Sequence, residues 1–471
     1  MQDLWFAIVL AACLVAMGNW RAGIYAGLLL DCLRDPIRKL VDDQSVLITI
    51  GGAAVWGAVL VRMLIDHQSE LRIFLQRYPT MRPMIVFLLL AIVPGALLSC
   101  ALYHGGWKLA AIGSASYLAP LIGIAAGYFL ATSEEEVYRV MKVYALLNAI
   151  MLVGVPLEYM DYDIPGLGGI QMDWVRYREG YTVDLIAGFY RSPDIMGLHA
   201  AHVVMFSALL FLRSRSATKF GWAGILIWAT GCMLLSGRRK MVGIPVVFLA
   251  AYICLAWRRG LRHINRLVAL GATCVLVVAG LFMFVSTDSI SAEYTDYAGT
   301  IVTEGATRAN DLVLKGSIAT LQQVGVLGAG IGTATQGRHY LGAGERGKLR
   351  GWQEDGVSRL LMEFGVPGLI FVFISGCCLL ISLWQSLKLV PPHTSVQMLQ
   401  VGTLSIVFGD LASAIISHQQ FSGDPVSGLL VTMFAGATLG APRIYAASRA
   451  RRARQPSPEP PRPHETLAGA V

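Results

Sequence analysis

Charge is scarce in this chain. Only 14% of its 471 residues are Asp, Glu, Lys or Arg, against 55% hydrophobic, where soluble domains average about 25% charged. That shortage excludes a soluble globular domain as the main architecture. Short alternating segments, the mark of a membrane barrel, do not dominate either. Cysteine supplies no framework. The eight cysteines lie in or beside apolar runs, none forms CxxC or a His/Cys ligand spacing, and neither long polar loop contains one. They read as small buried hydrophobes, with no extracytoplasmic disulfide expected. The stretch MQDLWFAIVLAACLVAMG lacks the basic n-region of a signal peptide and reads as a retained membrane segment. Walker A, HExxH and GxSxG patterns are missing. GVLGAGIGTATQG (325–337) is Gly-rich but follows no strand of an α/β unit, so it is not a nucleotide loop.

What is present is a series of long apolar runs. They fall near 4–18, 46–66, 83–103, 108–131, 139–156, 195–213, 219–236, 240–257, 264–286, 357–385, 397–417 and 424–442. That makes about 12 spans, each near the length a bilayer requires. Residues 20–32 are apolar but short, and read as a half-span or an interfacial piece. The expected fold is an all-α, polytopic helical membrane protein. Residues 1–446 form one membrane domain, and 447–471 a disordered, basic and Pro-rich cytoplasmic tail.

Lys and Arg set the orientation. The basic short loops 71–82, 213–219 and 257–266 and the tail alternate onto the cytoplasmic side. Two long loops, 157–194 and 287–356, then lie outside, the larger one preceding the last three spans. The first has seven acids against three bases and the second eight against six, which fits. RDPIRKL (34–40) fits poorly, because it lands outside. The formal charge of +8 resides in loops and tail, and implies membrane topology rather than nucleic acid.

Three constellations carry chemistry. Arg238, Arg239 and Lys240 sit at the outer end of a helix pair, against the positive-inside trend. Arg suits bidentate phosphate contact, so the cluster is either an anion site, such as one for a lipid pyrophosphate, or a snorkelling headgroup anchor. In AGFYRSPDIMGLHAAHVV (187–204), Pro193 and Gly197 flank a span entry, Asp194 is placed to cap the first turn, and Arg191 lies just outside. A helix start of this kind can hold an anion, although an ordinary capped helix explains it as well. In GWQEDGVSRLLMEFGVPG (351–368), Asp355, Arg359 and Glu363 recur at four-residue spacing and can pair along one face. Glu354 stands off that face, a carboxylate suited to general-base work at a dry mouth. The plain alternative is that both acids favour the helix dipole. Asp161-Tyr162-Asp163 is a lone DxD, a weak metal signal, and Asp410 lies within a span, where it would be buried in the bundle.

Three patterns then line up in order. LLSGRRKMVG resembles the "TGSR-G" turn of the O-antigen ligase and polymerase superfamily. GFYRSPDIMG resembles that family's "GTFxNPNxxG" helix entry. VGVLGAGIGT followed by EDGVSRLLMEFGVPGL resembles its "GxGxGx…HNxxLxxLxExGxxGL" segment. The resemblance covers roughly residues 30 to 440. It implies a GT-C-like, metal-independent, inverting glycosyltransferase without cofactor. The expected site faces the periplasm from a bacterial inner membrane. The implied donor is an undecaprenyl-diphosphate-linked glycan and the implied acceptor a glycan or glycolipid. Membrane lipids and other polysaccharide export and chain-length proteins are the remaining expected partners. By position, Arg239 matches the motif arginine that contacts the diphosphate, and Arg238 stands where the family often has Ser. Glu354 and Asp355 stand where ligases have His-Asn, so Glu354 would activate the acceptor hydroxyl. That departure leans toward a capsule, exopolysaccharide or O-antigen polymerase rather than a ligase to lipid A-core or protein. Arg191 and Arg308 are further candidates for phosphate or sugar contact, with Asp194 and Arg359 beside them. The rival class is a small-solute transporter, whose polar groups would gather near the bilayer midplane.

Overall fold

Polar residues at the helix starts divide the apolar runs. Asn19, Ser133, Ser192, Asp355 and Thr394 each take extended backbone angles and accept a hydrogen bond from the first turn of the helix that follows. Such caps satisfy backbone donors that a helix start leaves unpaired. The computed structural model describes residues 2–41, 46–170, 175–178, 181–215, 217–261, 310–335, 353–417 and 424–454, with isolated positions between 265 and 307. Its helices are α1 Gln2–Gly18, α2 Trp20–Lys39, α3 Val46–Arg77, α4 Met81–Leu102, α5 Gly106–Leu130, α6 Glu134–Met151 and α7 Gly154–Tyr159. Then follow α8 Pro193–Arg213, α9 Thr218–Leu235, α10 Arg239–Arg258, α11 Gly316–Val324, α12 Gly356–Leu389, α13 Ser395–Ile416 and α14 Pro425–Arg454.

Among the described residues, nine helices are long and apolar enough to cross a membrane, and α1 is a shorter apolar helix. The expected span 264–286 lies almost wholly outside the described residues, as does most of the loop 287–356. The all-α expectation needs one addition. A small antiparallel hairpin, β1 Val175–Arg178 and β2 Tyr181–Asp184, sits in the first long loop, pairing Val175 with Asp184 and Arg178 with Tyr181.

Two boundaries also differ. The short run at 20–32 is the front of α2, a full 20-residue helix. Hydropathy truncates it, because Asp31, Arg34, Asp35 and Arg38 follow; all four are buried inside the bundle. At the other end, α14 continues to Arg454, past the expected start of the tail at 447.

Helix α8 forms the centre, with 89% of its apolar window buried. A helix apolar all round is suited to that place. It packs on α6, α9 and α10, while α5 packs on α14 and α4 on α12. Small residues permit the close approaches: a Cβ at Gly127 or Gly436 would collide with the facing backbone of α14 or α5.

The Gly-rich segment 325–335 threads into a groove between α4, α5 and α12. Ala329 N–H donates to Met362 O at 2.7 Å and Ile331 N–H to Gly95 O at 3.0 Å. Gly330 and Gly332 hold φ of 99° and 85° there, where a side chain would strike Ser99 or Leu109. The segment is therefore a packing strip.

Candidate functional site

The starts of α8, α10, α12 and α14 and the ends of α2 and α13 gather at one end of the bundle. Contacts between them establish this: Arg191 with Asp35, Asp194 with Arg238, Arg34 with Asp424, and Gly356 against Ala414. The sequence elements assigned to the outer side thus share one end, called the outer end below.

At its centre lies an ionic cluster that sequence reading missed. Arg34 reaches Asp31 at 2.5 Å, one turn back on α2, and Asp424, the residue just before α14. Asp35 accepts from the Arg191 backbone N–H at 3.2 Å. Asp424 also accepts from Ser427 N–H at 3.1 Å and from the Ser427 hydroxyl at 2.5 Å. Burial works against the Asp424 carboxylate, but Arg34, with His199 and Arg191, more than offsets it, so its pKa lies below the ordinary carboxylate range. Ligand atoms of Asp31, His199 and Asp424 lie within 4.8 Å of one another. Arg34 occupies an oxygen of both acids, so a guanidinium already supplies the positive charge there.

Next to this cluster, the two basic and helix-entry motifs meet. Asp194 pairs with Arg238 Nη2 at 3.0 Å and with Lys240 Nζ at 3.0 Å. The expectation that Asp194 caps α8 is corrected: Ser192 accepts from Ile195 N–H at 3.4 Å, which frees Asp194 to point at α10. Gly197 lets the turn between α9 and α10 approach, since a Cβ would lie 3.0 Å from Ser236 Oγ and from Met241 Cγ. That turn bends through Gly237 at φ 60°, the left-handed position common after a helix end. Arg239 opens α10. Arg191 is half-buried, and its Nη2 has no hydrogen-bond partner among the described residues. Burial lowers its pKa, against the pull of Asp35. Arg308 lies outside the described residues.

The third constellation divides. Asp355 caps α12, accepting from Ser358 N–H at 2.7 Å, and does not run along the face with Arg359 as expected. Arg359 and Glu363 are both buried and approach to 3.7 Å. Glu363 is further held by the Tyr117 hydroxyl at 2.6 Å, Ala334 N–H at 3.2 Å and Thr335 Oγ1 at 3.1 Å. Arg359 and Glu363 therefore tie α12 to α5 and the Gly-rich strip. Glu354 is exposed just before the helix, not enclosed in a dry mouth. Asp161 and Asp163 of the DxD are exposed as well.

Deeper in the bundle, Asp410 is fully buried and its Oδ1 meets His202 Nε2 at 2.9 Å. Its burial was legible from its place in an apolar run. Its partner was not singled out, although His199 and His202, three residues apart in an apolar helix, gave a signal. Intramembrane ionisable groups of this kind generally pair with one another. In comparisons with known proteins, the chain matches no family model and no curated protein.

Proposed function

We propose that the chain is a membrane-embedded glycosyltransferase acting on an undecaprenyl-diphosphate-linked oligosaccharide, and that it polymerises repeat units of an exopolysaccharide, capsule or O-antigen. The observation that carries this reading is the junction of Asp194 with Arg238 and Lys240. It joins two sequence motifs singled out for phosphate chemistry, at the end of the bundle that the positive-inside rule places outside.

In this reading Arg239, with Arg238 and Arg191, holds the diphosphate and stabilises its growing charge as it leaves. Glu354 takes the proton from the acceptor hydroxyl. Its exposure gives an incoming sugar access. Attack opposite the leaving group inverts the anomeric carbon. The reaction takes place on the periplasmic face of a bacterial inner membrane, without metal or cofactor. Transfer to lipid A-core or protein, a ligase reaction, uses the same donor site.

The test is deletion of the gene, profiling of lipid-linked and surface glycans, and complementation with wild type, Glu354→Gln or Arg239→Ala. Single lipid-linked repeat units without long polymer, rescued by wild type alone, support the polymerase. Intact polymer retained on its carrier supports a ligase. An unchanged profile removes both.

A second reading, a multi-span small-solute transporter, is favoured by one observation: the buried His202–Asp410 pair. Ionisable pairs within a bundle occur along proton-coupled transport paths. Solute uptake into proteoliposomes without glycan product would select it.

A further inference from the structure

At the end of the bundle opposite the ionic cluster, α12 and α13 leave a groove between them. α12 packs mainly on α4, and α13 mainly on α10 and α14. Hydroxyls in this half of α12 turn away from the groove. Ser375 Oγ donates to Met84 O of α4 at 2.9 Å, and Ser386 Oγ to Thr438 O of α14 at 2.8 Å. The other face presents Leu380, Leu383 and Trp384, opposite Leu404 and Phe408 of α13. They line a cavity of about 450 Å³.

Size limits what can lie there. Leu380 and Lys388 are eight residues apart, about 12 Å along the helix. One leaflet of a bilayer's hydrocarbon core is about 15 Å deep. The groove therefore runs from the end of α12 into a single leaflet. Spread over that length, its volume leaves a section of roughly 40 Å². That is too narrow for a helix about 10 Å across, and open to an acyl chain.

The mouth is polar and positively charged. Gln385 and Lys388 line it. Lys388 is exposed, holds its ammonium 6.0 Å from the centre of the Trp384 ring, and pairs with no acid among the described residues. Acids at this end are engaged elsewhere: Glu70 with Arg443, Glu135 with Arg213 and Glu136 with Arg139, while Glu134 accepts from the Ser395 hydroxyl. Arg259 Nη2 donates to Leu387 O at 2.8 Å and to Val390 O at 2.7 Å, which closes the end of α12 and sets a second cation beside the mouth. Trp384 is 41% exposed. An indole at a membrane interface turns its ring to the chains and its N–H to the headgroups.

The apolar lining accepts any acyl chain, so the headgroup is chosen by charge. A zwitterionic headgroup brings its own cation toward Lys388. An anionic headgroup leaves a negative charge for the ammonium to neutralise.

We propose that this groove binds an anionic phospholipid of the leaflet at that end. One acyl chain lies between α12 and α13, and the phosphate is held by Lys388 with Trp384. The positive-inside rule makes this the cytoplasmic leaflet. This inference does not depend on the glycosyl-transfer reading.

The test uses the purified full chain in phosphatidylcholine nanodiscs that contain phosphatidylglycerol with a photoreactive diazirine on one acyl chain. Cross-links mapped by peptide mass spectrometry should concentrate on residues 380–388 and 404–408. Unlabelled phosphatidylglycerol added to the discs should suppress them, and the same amount of zwitterionic phosphatidylethanolamine should not. Lys388→Glu should lower the yield by about fivefold or more, the scale of one basic residue near an anionic surface. Lys388→Arg should keep it. Leu380→Trp, which fills the groove, should lower it with the charge intact. Lys388 is exposed, so its variants leave the packing alone, and an unchanged melting temperature checks this. Three results would overturn the proposal: cross-links no denser here than at exposed Leu10 and Leu14 of α1, equal suppression by phosphatidylethanolamine, or a wild-type yield in Lys388→Glu.

Discussion

Arg34 and Asp424 are 390 residues apart in sequence and form a buried ion pair at the outer end of the bundle. Through it α2, whose front reads in the sequence as a half-span or an interfacial piece, becomes an internal helix joined to the start of α14.

This pair predicts an asymmetric mutational response. Removing one partner leaves a buried charge uncompensated, which costs roughly 3–5 kcal/mol, whereas replacing a whole buried pair is often nearly neutral. Arg34→Met should therefore lower the unfolding temperature in detergent sharply, with Asp31 and Asp424 left unmatched. Arg34→Met combined with Asp424→Asn should recover a substantial part of that loss. Additive losses would show that the two residues do not act as a pair.

Asp194 predicts an opposite pair of effects on ligand affinity. It neutralises Arg238 and Lys240, so Asp194→Asn should tighten binding of a polyprenyl diphosphate by several-fold, from the roughly 1 kcal/mol scale of a partly exposed ion pair. Arg238→Ala should weaken it. Equilibrium binding in detergent reads both, and an Arg238→Ala protein with unchanged affinity removes this turn from the diphosphate site.

Asp355 predicts a pH dependence. Burial raises its pKa above the ordinary 3.8, although the hydrogen bonds from Ser358 pull it down. The folded chain then retains this proton to higher pH than the unfolded chain. Its contribution to stability falls as pH rises from 3.8 through the raised value, and levels off above that. Asn is an equally good helix cap, so Asp355→Asn should keep the helix start and flatten this slope. Thermal unfolding at stepped pH checks it, and parallel curves for the two proteins would refute the assignment.

Gly332 predicts a local failure. Its φ is 85° and a side chain would meet the Leu109 carbonyl. Gly332→Ala should destabilise by more than about 1 kcal/mol. Gly231, within α9, has open space around it, and Gly231→Ala should be neutral or favourable by up to about 1 kcal/mol. Similar expression and melting of both variants would show that the strip does not pack as described.

Parts of the site were legible before folding. Motif order brought out Asp194, Arg238 and Lys240, and their contact gives that order a geometric basis. Asp410 stood out as an acid inside an apolar run. The role of Asp194 was misread, because a Ser two residues earlier is an equally good cap and only the helix direction chooses between them. Asp355 and Glu354 are adjacent in sequence, yet one is buried and the other exposed. A half-turn of backbone decides that, and composition carries no record of it.

The sequence by itself determined the membrane class and most of the long apolar helices. These follow from run length and hydropathy, both local quantities. Only the tertiary structure decided what α2 is, where its charges go, and how His199, Tyr144 and His202 link Asp424 to Asp410. A hydropathy window averages a buried ion pair as two polar residues. Only its partner, hundreds of residues away, makes the same charges compatible with the interior.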